Sequence, residues 1–421
     1  MTSSQVQLLF VDLAIILCLA RGLGRLAARV HQPPVVGEIL AGVLLGPTLF
    51  GGELARTLFP AEMRPLLTAM ANVGVALFMF LVGLEIEGGT LRGRGRMTVG
   101  SVLGSTVVPF ALGIALAFRL LDGRGGGHEA AFVVFVGLAV SVTAFPVLAR
   151  ILEDRALSRT SLGGIALATA ASVDVVAWTG LAAVQAAVGG GGEHWRVALT
   201  VPYLLLMVGV VRPLLRALLL PGGIPAPFSA RNLSVVLIGV LLSAAATEAM
   251  GMHYIFGAFL FGVVMPKAGT SVLRAEIHER TGQVTGLLLP VYFVVAGLNV
   301  DLGGLRGDDL VDLGLILLVA VVGKFGGTYL GARSQGLPPR PATALGALMN
   351  TRGLTELVIL GVGLQLGLLD GSLYSLMVVM AVITTAMTGP LLSVIYSKPV
   401  EVPAVPPADE PEPAVTPAGR A

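Results

Sequence analysis

The chain has 421 residues, of which 55% are hydrophobic and 12% are charged, and its mean hydropathy is +0.88. Soluble domains carry roughly a quarter charged residues, so the composition excludes an ordinary soluble domain and predicts an integral membrane protein. The net charge is only +2 and no basic patch alternates with aromatic residues, which argues against a nucleic-acid partner. The single cysteine excludes an internal disulfide.

Thirteen apolar segments follow one another along the chain, and most are long enough to cross a bilayer as a helix. They cover residues 6–26, 35–50, 66–86, 97–121, 129–150, 161–188, 197–219, 231–249, 252–266, 282–298, 310–334, 341–368 and 372–396. The sequence therefore predicts an all-α membrane protein of about 13 transmembrane helices.

Positive charge is distributed unequally between the connections of these segments. Connections that follow odd-numbered segments, counted with the flanking segment ends, hold nearly three times as many Lys and Arg residues as the others. Positively charged loops stay in the cytoplasm, so we expect a plasma-membrane protein with its N-terminus outside and its C-terminus inside. Residues 1–396 form the predicted transmembrane domain, and the Pro-, Ala- and Glu-rich residues 397–421 predict a disordered cytoplasmic tail.

The second half of the chain repeats patterns of the first half. AGVLLGP in segment two parallels FGVVMP in segment nine, and FMFLVGLEI in segment three parallels YFVVAGLNV in segment ten. Each pair lies seven segments apart, and an odd offset means that the second copy enters the membrane from the opposite side. This pattern predicts an inverted-topology repeat, which is common in secondary transporters.

Segments five and twelve each contain a polar interruption, SVTAFP in the former and MNTRGLTE in the latter. The residues expected to break these helices are Thr143, Pro146, Asn350, Thr351 and Gly353. A break leaves free backbone groups at membrane depth, which is tolerated only where they are buried or line a cavity. Such helix ends can hold ions, although two ordinary kinked helices would show the same pattern.

Two charged residues lie within apolar segments, where a buried charge is energetically costly. Asp174 is near the middle of segment six, where an unpaired carboxylate costs several kcal/mol, and we predict that it binds the transported ion. Ser172, two residues before it, is a candidate hydroxyl ligand or a packing residue. Lys324, in segment eleven, is the only one of three lysines away from a segment end, and its expected partner is Asp174. A purely structural role is the alternative for both charges.

Arg352 and Glu356 lie four residues apart in segment twelve, so they share a helix face. We expect them to form a local pair that stabilises the predicted break. The five histidines lie near segment ends and form no metal-ligand motif, and no Walker loop or nucleophile elbow is present. The sequence thus predicts no enzyme, no cofactor and no nucleotide-binding domain.

Six strings along the chain match one known family of membrane proteins. They are QPPVVGEILAGVLLGP (32–47), LFMFLVGLEI (77–86), SVTAFPVLARIL (141–152), FGAFLFGVVMP (256–266), GKFGGTYLGAR (323–333) and ALMNTRGLTELVIL (347–360). From about residue 8 to residue 396, the chain resembles the monovalent cation:proton antiporter-2 family.

The resemblance implies a homodimer in which each chain forms two helical bundles. One bundle makes the dimer contact, and the other carries two crossed discontinuous helices with the ion site and moves as an elevator. Asp174 matches the family's ion-binding aspartate, and Lys324 matches the basic residue that faces it. Many relatives have two adjacent acids here, whereas Val173 precedes Asp174. One carboxylate implies exchange of one charge for one charge.

The expected function is therefore antiport of Na⁺ or K⁺ against protons, in which a proton and an alkali cation compete for Asp174. Hydroxyls of Thr143 and Thr351 would add oxygen ligands, which suit hard cations. Two alternatives stay open, because a fold does not fix its cargo. One is a proton-coupled exporter of an organic ion or ionophore, and the other is a membrane sensor or assembly partner that does not transport.

Overall fold

The fold is built from helices whose lengths follow the apolar segments of the sequence. The computed structural model describes residues 3–30, 32–48, 52–60, 62–85, 95–121, 127–155, 157, 160–188, 199–220, 229–250, 252–266, 271–303 and 307–395. The predicted tail, residues 397–421, lies outside the described residues. Within the described ranges every regular element is a helix, which agrees with the all-α class expected from the sequence.

The sixteen helices of the described residues are numbered here in chain order. They are α1 (Ser3–Arg29), α2 (Pro34–Leu45), α3 (Glu53–Leu58), α4 (Arg64–Glu85), α5 (Gly95–Leu120), α6 (Glu129–Ser141), α7 (Phe145–Asp154), α8 (Ser161–Val188), α9 (Thr200–Leu219), α10 (Ala230–Ala249), α11 (Tyr254–Val264), α12 (Ser271–Leu298), α13 (Gly307–Ser334), α14 (Pro339–Met349), α15 (Leu354–Gln365) and α16 (Gly371–Ile395).

Most helices begin and end close to the predicted segments, and two features differ. In the part of the chain that the structure describes, nine helices are long and apolar enough to cross a membrane, and four shorter apolar helices accompany them. Helix α12 begins at Ser271 rather than at residue 282, because the polar stretch before the apolar segment is also helical and contains an Arg280–Glu276 pair. The short α3 has no counterpart in the prediction, since six residues give too little periodicity.

Two membrane helices are interrupted, in segments five and twelve. Residues 142–144 separate α6 from α7, and residues 350–353 separate α14 from α15. The two non-helical segments meet, because the backbone N–H of Ala144 donates to the carbonyl of Thr351 at 3.0 Å. Crossed discontinuous helices are therefore present, as the fold class required.

The helices pack into two bundles. Helices α1, α2, α4 and α9–α12 contact one another and form the first bundle, while α5–α8 and α13–α16 form the second. The second bundle contains both interrupted helices and is called the site bundle below, and the first is called the scaffold bundle. Contacts between the bundles are fewer and run mainly from α2 to α16 and from α12 to α15.

Glycines allow α2 and α12 of the scaffold bundle to touch backbone to backbone. A Cβ added to Gly42 would lie 2.2 Å from the carbonyl oxygen of Val294, and one added to Gly297 would lie 2.6 Å from that of Ile39. Real Cβ atoms do not approach oxygen so closely, so this contact requires glycine on both helices.

The same contact recurs between α4 and α11, with the roles of the repeats exchanged. A Cβ on Gly262 would lie 2.2 Å from the carbonyl oxygen of Phe80, and one on Gly83 would lie 2.1 Å from that of Phe259. These four residues occupy the positions that the sequence repeat aligns with the α2–α12 contact. The two halves of the chain thus build equivalent contacts, which is the structural signature of the repeat.

The glycine contacts generate the first prediction. Gly297→Ala should lower the free energy of unfolding by about 1–3 kcal/mol, because the new methyl group would collide with the backbone of α2. Thermal unfolding in detergent, followed by fluorescence-detected gel filtration, measures the effect. Gly282→Ala is the matched control, since Gly282 is on the same helix with open space around it. Equal melting temperatures for the two variants would contradict the packing described.

Candidate ion-binding site

The crossing of the two interrupted helices is held by hydrogen bonds to free helix-end carbonyls. The Thr143 hydroxyl donates to the carbonyl of Met349 at 2.8 Å, and the Thr351 hydroxyl donates to that of Leu348 at 2.7 Å. Both acceptors lie at the C-terminal end of α14. The two predicted hydroxyl ligands therefore already donate their protons to the frame, and only their oxygen lone pairs are available to an ion.

Arg352 closes the C-terminal end of the other half-helix, α6. Its guanidinium donates to the carbonyl of Ala139 at 2.9 Å and to that of Val140. It also forms an ion pair with Glu356 at 3.0 Å, and both side chains of this pair are completely buried. A cation at a helix C-terminus favourably opposes the helix dipole, so Arg352 stabilises α6 and the crossing together.

Helix α16 holds residues 350–353, the non-helical segment between α14 and α15, through threonine hydroxyls. The backbone N–H of Arg352 donates to the Thr385 hydroxyl oxygen at 2.9 Å, and that hydroxyl donates back to the Arg352 carbonyl at 2.8 Å. The Thr388 hydroxyl lies 3.4 Å from that of Thr351. Sequence reasoning missed Thr385, because nothing local relates it to a segment 33 residues away.

Asp174 lies in α8 with its side chain buried, and neither carboxylate oxygen accepts a hydrogen bond of good geometry. Its closest polar surroundings are the backbone amide of Phe145, the ammonium group of Lys324 and the hydroxyl of Thr355. Phe145 begins α7 and Thr355 lies in the first turn of α15, so the N-terminal ends of both half-helices face the carboxylate. Helix N-termini favour negative charge.

Thr355 is a site residue that the sequence analysis did not identify. It follows Thr351 by one helical turn and precedes Glu356, and its side chain is buried. The string MNTRGLTE contains this second threonine, which lies in the first turn of the new helix. Thr355 does not itself break the helix, so the polar interruption of segment twelve did not indicate it.

Lys324 does not contact Asp174 directly in this structure. Its Nζ donates to the carbonyl of Ser105 on α5 at 2.8 Å, and the side chain is completely buried. Among the ion pairs of the described residues none joins Lys324 to Asp174. The expected direct pair is absent because α13 packs tightly against α5, which brings a backbone acceptor within reach, and the lysine acts on Asp174 through space.

The remaining predicted residues occupy different positions around this centre. The Ser172 hydroxyl donates to the carbonyl of Ala168 at 2.8 Å within its own helix, which is a packing arrangement. Both amide atoms of Asn350 are buried without a partner. Gly353 precedes the first residue of α15, and Pro146 lies in the first turn of α7. Pro tolerates a first turn because it has no N–H to leave unpaired.

Two cavities lie between the bundles, on either side of this centre. The Glu38 cavity has a volume of about 280 Å³ and includes Glu38, Gly286 and Leu354. The Tyr254 cavity, of about 180 Å³, includes Tyr254, Asn299 and Val358. Thr355 lies between Leu354 and Val358 on α15, so a single helical turn separates the residues that line the two cavities.

The described residues contain no group of three or more His, Cys, Asp or Glu side chains that could hold a metal ion. The carboxylate of Asp174 therefore stands without the additional acidic ligands of a resident metal centre. One carboxylate with neutral oxygens around it suits a single monovalent cation better than a tightly held divalent one.

The Arg352–Glu356 pair generates the second prediction. Arg352→Gln and Glu356→Gln should each lower the free energy of unfolding by about 3 kcal/mol, because each leaves one buried charge unpaired. The double variant should lose clearly less than the sum, since it removes both charges. Melting temperatures of all three variants measure this, with Arg280→Gln of the exposed α12 pair as control. Additive effects would contradict a direct pair.

Comparison with known proteins agrees with this fold. The transmembrane domain of the sodium/hydrogen exchanger family matches residues 13–398. The Na⁺/H⁺ antiporter NhaS4 of Synechocystis is 38% identical over 410 residues, covering 95% of this chain and 100% of that protein. The cation/H⁺ antiporter 20 of Arabidopsis thaliana is 37% identical, covering 92% of this chain and 48% of that protein. The chain thus spans about half the length of that plant relative.

The fold also matches solved structures. The sodium proton antiporter MjNhaP1 of Methanocaldococcus jannaschii, solved at pH 8, superposes with a TM-score of 0.64 over 93% of this chain and 97% of that chain. The sequences are only 14% identical, so this likeness concerns the fold alone. The family match over nearly the whole chain and the close sequence relatives together show that the chain belongs to the sodium/hydrogen exchanger family of monovalent cation:proton antiporters.

Proposed function

We propose that this chain exchanges Na⁺ or K⁺ for protons across the membrane, with Asp174 binding each ion in turn. The observation that carries the proposal is a buried carboxylate close to Thr355, which lies between residues of α15 that line two different cavities. Gly286 of the Glu38 cavity and Asn299 of the Tyr254 cavity are thirteen residues apart along α12 and its end. A helix rises 1.5 Å per residue, so the far ends of the two cavities are about 20 Å apart along α12.

The chemistry of the site fits competition between a proton and a hard cation. An alkali cation prefers oxygen ligands, and the Asp174 carboxylate can be joined by lone pairs of the Thr355 and Thr143 hydroxyls and by helix-end carbonyls. A proton would instead neutralise the carboxylate directly. Each ligand removes the cost of an ionised group in an apolar surrounding, and the two cannot occupy the same carboxylate together.

The division into two bundles supports an elevator mechanism. The crossing ties α6, α7, α14, α15 and α16 together, so the site bundle can move as a unit along the less extensive contact with the scaffold bundle. Only a neutralised Asp174 crosses the apolar barrier cheaply. Coupling follows, because the empty ionised site stays in place and cannot return without a proton or a cation.

The charge distribution supports an orientation for this cycle. We place the Glu38 cavity on the cytoplasmic side, because the arginine-rich ends of α1 and α7 lie beside it, and positive residues stay inside. The N-terminus is then outside, in a plasma-membrane homodimer that contacts its partner through the scaffold bundle. The names of the relatives include both a Na⁺/H⁺ and a K⁺/H⁺ antiporter, so either alkali cation fits the family.

Export of an organic ion finds little support in the site. Pockets for drug-sized ligands measure about 300–1,000 Å³, whereas the two cavities measure about 280 and 180 Å³. The fixed crossing between them leaves space for a small ion rather than for a large organic one. A sensor without transport would not require two cavities that approach one buried carboxylate.

The third prediction tests the role of Asp174. Asp174→Asn should abolish cation-dependent proton flux, because an amide can neither exchange a proton nor neutralise a cation. Dequenching of a pH-sensitive dye in proteoliposomes, with Na⁺, K⁺, Li⁺ and Rb⁺ added in turn, measures the flux. Asp12→Asn is the matched control, since Asp12 is also a buried carboxylate without a partner but belongs to the scaffold bundle. Normal exchange by the Asp174→Asn variant would contradict the proposed role of Asp174 as the ion-binding residue.

The fourth prediction tests movement of the site bundle. In a protein whose only cysteine is replaced by Cys18→Ser, Val358→Cys should react with a membrane-impermeant thiol reagent from either side during turnover, because Val358 moves with the site bundle. Phe78→Cys, on the scaffold bundle in the Glu38 cavity, should react from the cytoplasmic side alone. Labelling of Val358→Cys from one side under every ionic condition would exclude an elevator.

A further inference from the structure

A third cavity lies beside the Glu38 cavity and is called the arginine cavity here. Its volume is about 270 Å³, and Arg150 and Arg155 line it together with Gln32. Gln32 connects α1 to α2 in the scaffold bundle, whereas Arg150 lies in α7 of the site bundle and Arg155 directly follows the last residue of α7. Among the residues whose side chains the structure describes, the charged ones that line this cavity are the two arginines.

The polar groups of the arginine cavity are incompletely paired. Arg155 donates to the carbonyl of Gly389 on α16 at 3.1 Å, which holds its guanidinium at the wall of the cavity. Arg150 is exposed and forms no hydrogen bond or ion pair with any described residue. The side-chain oxygen of Gln32 is buried without a donor. The cavity therefore offers several N–H donors and one acceptor that lack partners.

Arg150 also lines the Glu38 cavity, and this position conflicts with cation transport. Arg21 and Arg150 face that cavity with Glu38 as its single described carboxylate. Arg21 is anchored by a 2.8 Å hydrogen bond to the carbonyl of Gly286, while Arg150 has no such anchor. A cation that enters from this side would approach two arginines and one glutamate, which together carry a net positive charge. Like charges repel each other.

We propose that the arginine cavity binds the phosphate group of an anion through Arg150 and Arg155, with Gln32 accepting a hydrogen bond from a hydroxyl of the same ligand. Guanidinium groups recognise phosphate through charge-assisted, often bidentate hydrogen bonds. An anionic phospholipid headgroup and a free phosphate share this chemistry. The cavity lies near the ends of α1 and α7, where we expect the lipid headgroups.

Two consequences follow from an anion at this position. It neutralises Arg150 and removes the repulsion at the entrance of the Glu38 cavity, so cations bind more readily from this side; this consequence rests on the proposed function. It also joins Gln32 of the scaffold bundle to two residues of the site bundle, which stabilises the relative position of the bundles seen here. A ligand that binds one of two conformational states more tightly shifts the population toward that state.

A binding experiment tests the site without relying on transport, because it uses the Asp174→Asn protein. Melting temperatures are compared in phosphatidylcholine nanodiscs, in nanodiscs with added phosphatidylglycerol, and in phosphatidylcholine nanodiscs with inorganic phosphate. We expect phosphatidylglycerol to raise the melting temperature, and we expect Arg150→Gln and Arg155→Gln, added to this protein, to lose most of that rise. Arg25→Gln is the matched control, because Arg25 is an exposed arginine of α1 that does not line the cavity.

The outcomes separate the possible sources and can overturn the proposal. A rise with phosphatidylglycerol alone identifies a lipid headgroup, and a rise with inorganic phosphate identifies a free anion, provided that both arginine variants lose it. An unchanged melting temperature in all three conditions, or a rise that Arg150→Gln and Arg155→Gln retain in full, overturns the site.

Transport by the protein with an intact Asp174 provides the second readout. In phosphatidylcholine vesicles Arg150→Gln should lower the apparent KM for the cation on the cytoplasmic side about twofold, as expected for removing one charge at roughly 10 Å in water, and added phosphatidylglycerol should then lower it less than in the wild type. A KM that is unchanged by Arg150→Gln contradicts the electrostatic role. Absence of any cation flux in wild-type protein would instead count against the proposed antiport and leave the binding result standing.

Discussion

The structure depends on one constraint, which is that free backbone groups inside a membrane must find partners within the protein. Two interrupted helices create such groups at the same depth, where water is not available to satisfy them. The crossing meets this requirement, because the side chains of Thr143, Arg352 and Thr385 donate hydrogen bonds to free backbone carbonyls. Since the partners of each half-helix come from other helices, the site bundle is joined into a unit, and the movement proposed for it would not break its own hydrogen bonds.

The same frame bears on the exchange proposed at Asp174. The crossing uses the Thr143 and Arg352 donors on helix-end carbonyls and leaves the Asp174 carboxylate, which has the Phe145 amide and the Thr355 hydroxyl nearby, without a hydrogen bond of good geometry. A buried carboxylate in this situation is costly, and a proton or a cation removes that cost. The protein thus fixes the surroundings of the site by direct hydrogen bonds, whereas the ionised carboxylate itself is only partly stabilised by the two helix N-termini and Lys324. That distinction makes a transported ligand necessary for movement in the proposed cycle.

Local sequence patterns predicted much of the fold, but they could not predict contacts between segments that are distant in the sequence. Apolar periodicity, the Gly- and Pro-containing repeats and the two polar interruptions predicted the helices and the crossing, since each is encoded within a few residues. The partner of Lys324 was not predictable, because Ser105 lies 219 residues away and acts through its backbone carbonyl, which leaves no mark on the sequence. Thr355 was recoverable in principle, as the first turn of a helix that faces Asp174.

The balance of buried charge bears on stoichiometry. Arg352 and Lys324 carry two positive charges, and Glu356 and an ionised Asp174 carry two negative ones, and all four side chains are buried. Binding of either a proton or an alkali cation to Asp174 adds one positive charge to this set. The two loaded states therefore have the same charge and meet the same electrostatic barrier. In the proposed cycle, this composition supports exchange of one cation for one proton if Lys324 keeps its proton when the cation binds.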